Sequence, residues 1–151
     1  MGHMSTKYRV QNPKNNEIVE SFDFITDDEL ETALATANDT FKQWREKNFE
    51  ERAEVLRKVA KLFDEQRAEL TRIIAEEMGK SVKEGDGEIN DVVEIFNYYA
   101  DNGAEFGADE EIPNQRGGTS VMRKVPLGVI LGIMPWNFPY YQVARFAAPA
   151  L

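Results

Sequence analysis

The 151-residue sequence contains no cysteine and a single histidine, His3. Without cysteine, disulfide bonds, thiolate metal sites and thiol nucleophiles are all excluded within this chain. The opening Met1-Gly2-His3 is typical of a cloning remnant, and residues 1–4 are predicted to be such a remnant. No metal site is expected.

Basic residues are also few: 18 lysines and arginines stand against 27 aspartates and glutamates, which gives a net charge of −9. Nucleic-acid binding depends on neutralising phosphates, and anionic membranes attract basic segments, so neither partner is expected. The sequence has no basic-then-apolar leader and no long apolar run. Because a membrane-spanning helix needs about 20 apolar residues, we expect a cytoplasmic location.

Helices dominate what is present. Three residue pairs have the spacing of a capping box, which marks the start of a helix. These pairs are Thr26 with Glu29, Asn48 with Glu51, and Ser81 with Glu84. After each pair, apolar residues recur three or four positions apart, as on the buried face of a helix. The second pattern continues to Gly79, which is long for one globular helix, so a break is predicted near residues 64–67.

Short β-prone segments accompany the helices. Residues 8–22 are predicted to form a hairpin with a turn-rich centre. Residues 110–118 are predicted to be a loop, and residues 119–125 a strand whose exposed edge could pair with another subunit. Gly85 and Gly87, near the start of the third helix, leave two alternatives open: loosely formed first turns, or the close passage of another backbone.

The last 26 residues carry the most specific pattern. Residues 129–134 form an apolar run typical of a strand buried on both faces, and Pro135 ends it. Pro139 suits the first position of a following helix. The predicted order is strand, turn and helix, and the turn is where open α/β sheets bind ligands.

The turn itself presents Trp136 and Asn137. On these residues alone, two interpretations of Asn137 are open. Its side chain either caps the following helix or contacts a ligand through its carboxamide.

The sequence P-W-N-F-P at residues 135–139, followed by A-P-A-L at 148–151, resembles the aldehyde dehydrogenase superfamily. The surrounding I-M-P-W-N-F-P-Y-Y-Q-V-A-R-F-A-A-P is most similar to the bacterial succinate-semialdehyde dehydrogenase branch. Further matching segments are E-R-A-E-V-L-R-K-V-A at 51–60, E-E-M-G-K at 76–80 and Y-Y-A at 98–100. The resemblance therefore covers nearly the whole chain.

This resemblance implies an α/β fold in which the present chain is mainly helical. It would contain an N-terminal β-hairpin, a short oligomerisation strand at 119–125 and the first strand–loop–helix of a dinucleotide-binding domain. Residues 5–151 would be the N-terminal part of the cofactor-binding domain, and the catalytic domain is absent. The sequence also has no glycine-rich phosphate turn after a strand. The complete enzyme would use NAD or NADP, and this chain by itself is expected to bind neither.

The resemblance also implies roles for individual residues. In the family, a cysteine thiolate adds to the aldehyde, the resulting oxyanion gives up hydride to NAD(P)+, and a glutamate activates water. By its place in the motif, Asn137 would donate its side-chain N–H to that oxyanion. Met134, Pro135, Trp136 and Asn137 would line the nicotinamide end of the cofactor cleft, and Arg145 would bind a carboxylate of the substrate.

The predicted function is part of an NAD(P)-dependent aldehyde dehydrogenase that oxidises succinate semialdehyde to succinate. Its partners would be a small-molecule aldehyde and further copies of itself, joined through exposed strands and helices. Because the chain has no cysteine, it is expected to be inactive by itself. The alternative is a non-catalytic helical interaction or dimerisation module. The amphipathic helices favour this alternative, but it does not explain the sequence of residues 135–139.

Overall fold

The computed structural model describes residues 8–115 and 117–151, and this part of the chain is mainly helical with two small antiparallel hairpins. The predicted remnant at residues 1–4 lies outside the described residues. The helices are α1 (Asp27–Trp44), α2 (Phe49–Glu65), α3 (Arg67–Met78), α4 (Val82–Phe106) and α5 (Pro139–Ala150). The strands are β1 (Tyr8–Gln11), β2 (Ile18–Phe22), β3 (Glu110–Ile112) and β4 (Ser120–Met122).

Local caps set the helix starts as predicted. Each of the three capping boxes is formed, with the N-cap side chain and the glutamate three residues later bonding each other's backbone N–H. The predicted break between the second and third helical segments is confirmed, because α2 ends at Glu65 and α3 begins at Arg67. Gly79 then ends α3 in the left-handed conformation, with φ of 76°.

The core lies where α2, α4 and α5 meet. Its buried members are Ala53, Leu56, Ala60, Val92, Phe96, Ala100, Ala144 and Ala148. The ring of Phe63 links the three helices, since its centroid lies 6.3 Å from that of Phe96 and 5.8 Å from that of Tyr140. The small residues of α5 allow it to approach α4 closely, which positions the start of α5 relative to the rest of the chain. By contrast, α1 has no buried residue.

The two hairpins differ in how well the sequence predicted them. The hairpin of β1 and β2 is confirmed, with Tyr8 opposite Phe22. The prediction of a loop over 110–118 is wrong in part, because Glu110–Ile112 is strand β3 and pairs with β4. The strand predicted over 119–125 is confirmed only over Ser120–Met122. Ion pairs join the ends of this second hairpin, with Arg123 bonded to Asp109 at 2.6 Å and Lys124 bonded to Glu110 at 2.8 Å.

The buried strand predicted at 129–134 is not formed. These residues belong to no helix or strand, and Leu131 and Ile133 are 85% and 86% exposed. A strand requires a neighbour that shares its backbone hydrogen bonds. Within residues 8–115 and 117–151 no strand lies beside this segment. The apolar run therefore has the composition of a buried strand without the sheet that would bury it.

The two glycines near the start of α4 have different environments. The helix begins at Val82, so the first turns are formed. A Cβ at Gly85 would lie 2.9 Å from Cγ2 of Ile74 and 3.3 Å from Cγ2 of Thr71, whereas a Cβ at Gly87 would have no atom within 4 Å. Close packing of α3 therefore explains Gly85 but not Gly87.

This difference predicts opposite effects of alanine at the two positions. Gly87→Ala should raise the free energy of unfolding of the chain by up to about 1 kcal/mol, because alanine restricts the unfolded backbone and has open space. Gly85→Ala should lower it by about 1–3 kcal/mol, because the added methyl overpacks the contact with α3. Urea denaturation followed by circular dichroism measures both changes. An equal gain in both variants would contradict the close packing at Gly85.

Among the described residues, no helix combines the length and apolarity that crossing a bilayer requires. In the same part of the chain, no group of three or more histidine, aspartate or glutamate side chains is placed to hold a metal ion.

Candidate functional site

The loop predicted to carry the chemistry is a tight turn at the start of α5. Trp136 and Asn137 form the turn and are exposed, Phe138 is the N-cap residue, and Pro139 occupies the first helical position. The first hydrogen bond of α5 runs from the N–H of Gln142 to the carbonyl of Phe138, at 2.9 Å. The carboxamide of Asn137 therefore stands at the surface, directly before the helix.

The N-terminus of α5 is capped from another helix. No side chain of the turn itself caps it. Instead, Oε1 of Glu88, on α4, accepts hydrogen bonds from the backbone N–H of Tyr140 at 2.8 Å and of Tyr141 at 3.0 Å. The capping interpretation of Asn137 is therefore wrong, because Glu88 makes the bonds that a capping Asn137 would have made.

Asn137 lies on an open cleft of about 850 Å³ between α4 and the start of α5. The residues lining this cleft are Asp91, Glu94, Ile95, Tyr98, Tyr99, Asn137, Phe138, Tyr141 and Gln142. Its α4 side carries two carboxylates, and aromatic rings make up most of the remaining wall. A small ligand in this cleft would meet both apolar surface and the carboxamide of Asn137.

Arg145 lies one turn beyond Tyr141 on α5 and is exposed. It is not among the residues that line the cleft, but its guanidinium carbon lies 5.4 Å from the ring centroid of Tyr141, which does line it. The structure therefore brings Arg145 near the cleft through a cation–π contact.

A second anchor fixes α5 to α3. The hydroxyl of Tyr140 donates a hydrogen bond to the carbonyl of Leu70 at 3.1 Å. Burial, with the nearby charges of Glu77, Glu88 and Glu69, raises the pKa of Tyr140 to about 12. The phenol therefore keeps its proton at neutral pH and remains a donor to α3.

The predicted cofactor-contacting residues do not all face outward. Pro135, Trp136 and Asn137 are exposed, whereas Met134 is half-buried. A Cβ at Gly132 would lie 2.5 Å from Cε of Met134 and 2.7 Å from the ring of Phe146, so the Met134 side chain folds back against Gly132.

Sequence reasoning missed four residues that the structure places around the loop: Lys80, Glu88, Asp91 and Glu94. For Glu88 a signal was available. It lies four and eight positions before Val92 and Phe96, so it interrupts the buried face of α4. An acid on an apolar helix face is rarely left buried without a partner, which indicates a specific bond.

Comparisons with known proteins agree with this description. Residues 2–151 match the aldehyde dehydrogenase family. A succinate-semialdehyde dehydrogenase (NADP+) of Deinococcus radiodurans is 40% identical over 140 residues, which are 93% of this chain and 29% of that protein.

Solved structures are similar as well. A succinic semialdehyde dehydrogenase from Streptococcus pyogenes, crystallised with NADP+ as the cofactor, has a TM-score of 0.90 and 36% identity over 95% of this chain and 31% of its own. A betaine aldehyde dehydrogenase from Staphylococcus aureus, in complex with NAD+, has a TM-score of 0.87 and 28% identity over 95% of this chain and 29% of its own. The present chain spans less than a third of the length of each of these proteins.

Proposed function

Because the chain belongs to the aldehyde dehydrogenase family, we propose that it is part of a longer NAD(P)-dependent aldehyde dehydrogenase, in which Asn137 stabilises the oxyanion of the reacting aldehyde. The longer protein is called the complete enzyme below. The observation that carries the proposal is the exposed carboxamide of Asn137, which lines the cleft. This carboxamide does not cap α5, because Glu88 accepts the hydrogen bonds of the first N–H groups of that helix.

The chemical role follows from the properties of a carboxamide. When a nucleophile adds to an aldehyde, negative charge develops on the carbonyl oxygen. A carboxamide N–H is a neutral donor that does not titrate, so it can face this oxygen at any physiological pH. Donors fixed before the reaction stabilise the developing charge without reorganising. The nucleophile would come from outside this chain, which has no cysteine.

The cofactor would lie against the same loop. NAD or NADP, when bound, accepts the hydride that leaves the aldehyde carbon. Met134, Pro135, Trp136 and Asn137 would line its nicotinamide end, with the half-buried Met134 side chain held against Gly132. The relatives named above were described with NADP+ or with NAD+, so both remain candidates. A homo-oligomer joined through exposed strands and helices, and a cytoplasmic location, stay predictions.

For the substrate we propose succinate semialdehyde, which carries a carboxylate at the far end from its aldehyde. The proposal is supported by the names of two relatives and by Arg145 beside the cleft. Because Asp91 and Glu94 line the α4 side, an anionic substrate would be repelled there. The charge of Arg145, on the α5 side, would then determine where the carboxylate binds.

Arg145→Ala in the complete enzyme is expected to raise KM for succinate semialdehyde by about tenfold to a hundredfold, because a hydrogen bond to a charged group contributes about 1.5–3 kcal/mol. KM for butanal, which has the same chain length and no carboxylate, should change little. Steady-state kinetics with the two aldehydes measures the difference. Equal changes in both KM values would contradict a carboxylate-binding role.

The proposal as a whole is tested by sequencing the source gene through and beyond the codon for Leu151. We expect the reading frame to continue with a glycine-rich phosphate turn, a glutamate and a cysteine. The encoded protein should then oxidise aldehydes, measured by the absorbance of the reduced cofactor. A stop codon directly after Leu151 would overturn the proposed activity.

In that case, the non-catalytic interaction module would be the better description. Exposed apolar side chains such as Leu131 and Ile133 favour this second candidate, because such surface usually contacts another protein. Sedimentation velocity of the 151-residue chain and binding of a hydrophobic dye distinguish the cases. A monomer of 17.2 kDa that binds no dye would contradict self-association.

A further inference from the structure

Glu88 has an acidic side chain that is fully buried in the protein. Its side chain is 0% exposed, and that of Lys80, its ion-pair partner, is 6% exposed. Both carboxylate oxygens have partners. Oε2 bonds to Nζ of Lys80, and Oε1 accepts from the backbone N–H groups of Tyr140 and Tyr141. Glu88 therefore joins the turn between α3 and α4 to the start of α5.

Lys80 extends this connection to the turn that carries Asn137. Besides its bond to Glu88, its Nζ lies 3.6 Å from the ring centroid of Phe138. Such a short distance is typical of a cation–π contact. Phe138 directly follows Asn137 in the chain, so Lys80 and Glu88 hold the residue after Asn137 from one side and the first turn of α5 from the other.

The local sequence cannot hold the loop in this way. Pro139 has no backbone N–H, and Phe138 has no side-chain acceptor to cap the helix. The first free N–H groups of α5, those of Tyr140 and Tyr141, must therefore find an acceptor elsewhere. A carboxylate at this position is also favoured by the positive end of the helix dipole.

Stability alone does not explain the buried ion pair of Glu88 and Lys80. A buried ion pair contributes little net stability compared with apolar side chains of similar size, because both charges lose their hydration. This pair instead fixes the orientation of the loop. The carboxylate of Glu88 accepts from Lys80 and from the N–H groups of Tyr140 and Tyr141, and the ammonium of Lys80 holds the ring of Phe138. An apolar pair at these positions would leave the loop free to shift.

We propose that Glu88 and Lys80 are positioning residues for Asn137, which fix the loop so that its carboxamide faces the reacting oxygen. This inference rests on the proposed oxyanion role of Asn137. Glu88 has no contact with substrate in this arrangement and acts through α5 and Phe138.

The test is a double-variant cycle in the complete enzyme, with Glu88→Gln and Asn137→Ala made singly and together. Glutamine keeps the size of glutamate but removes the charge that orders the loop. Glu88→Gln alone should lower kcat by about 10- to 100-fold, with KM nearly unchanged, because a misplaced catalytic group loses about that much. In the Asn137→Ala background, Glu88→Gln should change kcat by less than about threefold, because residues acting as a unit are not additive.

A merely structural Glu88 would behave differently. It would lower kcat by the same factor in both backgrounds, or not at all, and either result overturns the inference. If Asn137→Ala by itself leaves kcat unchanged, the proposed function fails, and that failure is recognised from the single variant. Gly87→Ala is the matched control, since it changes the residue next to Glu88 at a position where the added methyl has no atom within 4 Å. Its kcat should stay within about twofold.

Lys80→Met keeps the test decisive if Glu88→Gln does not fold. Methionine has the length of the lysine stem and removes the cation from both Glu88 and Phe138. Its kcat should fall in the presence of Asn137 and change by less than about threefold in its absence. An equal fall in both backgrounds would again overturn the inference.

Discussion

Asn137→Ala is expected to lower kcat of the complete enzyme by about 10²- to 10³-fold, which corresponds to about 2.7–4 kcal/mol of transition-state stabilisation. The effect should be in kcat rather than KM, because the oxyanion forms only as the reaction proceeds. An interaction made only in the transition state lowers kcat and kcat/KM equally when it is removed. Steady-state kinetics at saturating cofactor measures both parameters.

A second substitution at the same position separates charge from size. Asn137→Asp preserves the shape of the side chain but places a negative carboxylate beside the developing oxyanion. Its kcat should be at least as low as that of Asn137→Ala, because the negative charges of the aspartate and the oxyanion repel each other. If aspartate were tolerated, packing and not hydrogen bonding would be the role of Asn137.

The matched control is Asn97→Ala. Asn97 is an exposed asparagine on α4, and it is not among the residues lining the cleft. Removing the same carboxamide from this position should leave kcat unchanged. A similar loss of activity in both alanine variants would contradict a specific role for Asn137.

Phe96→Ala is expected to lower the free energy of unfolding of the chain by about 3–5 kcal/mol. Phe96 is 3% exposed and lies in the core where α2, α4 and α5 meet. Alanine would remove the ring, including its stacking on Phe63 at 6.3 Å, and leave a cavity between three helices. Since small domains are stable by only about 5–15 kcal/mol, this single change removes a large part of the total.

Urea denaturation of the 151-residue chain, followed by circular dichroism, measures this loss. Leu62→Ala is the control, because Leu62 lies on α2 with its side chain exposed, and its substitution should change the free energy of unfolding by about 0.5 kcal/mol or less. A loss below about 1 kcal/mol for Phe96→Ala would contradict the position of the core.

Helix positions were predictable because their determinants are close in sequence. In the capping box of Thr26 and Glu29, for example, the side chains bond backbone groups only three residues away. The break between α2 and α3 was predictable for a related reason, since the pattern was too long for one helix. Such contacts form wherever the segment is helical, whatever surrounds it.

Strands were predicted less well because pairing is not local. The segment 110–118 has the composition of a loop, yet Glu110–Ile112 becomes a strand when it meets Ser120–Met122. Conversely, residues 129–134 have the composition of a strand and form none, because no strand lies beside them in the described part of the chain. In both segments, the presence or absence of a neighbouring strand decides whether a strand forms, and composition does not reveal that neighbour.

By itself, the sequence determined the helices, their caps, the family and the position of Asn137 before the last helix, because each of these depends on residues close together in the chain. Only the tertiary structure decided what caps that helix. Glu88 and Tyr140 are 52 residues apart, and folding alone brings them to within 2.8 Å. Burial makes this bond necessary, because a carboxylate without water must take its hydrogen bonds from the protein groups it reaches, here Lys80 and two backbone N–H groups.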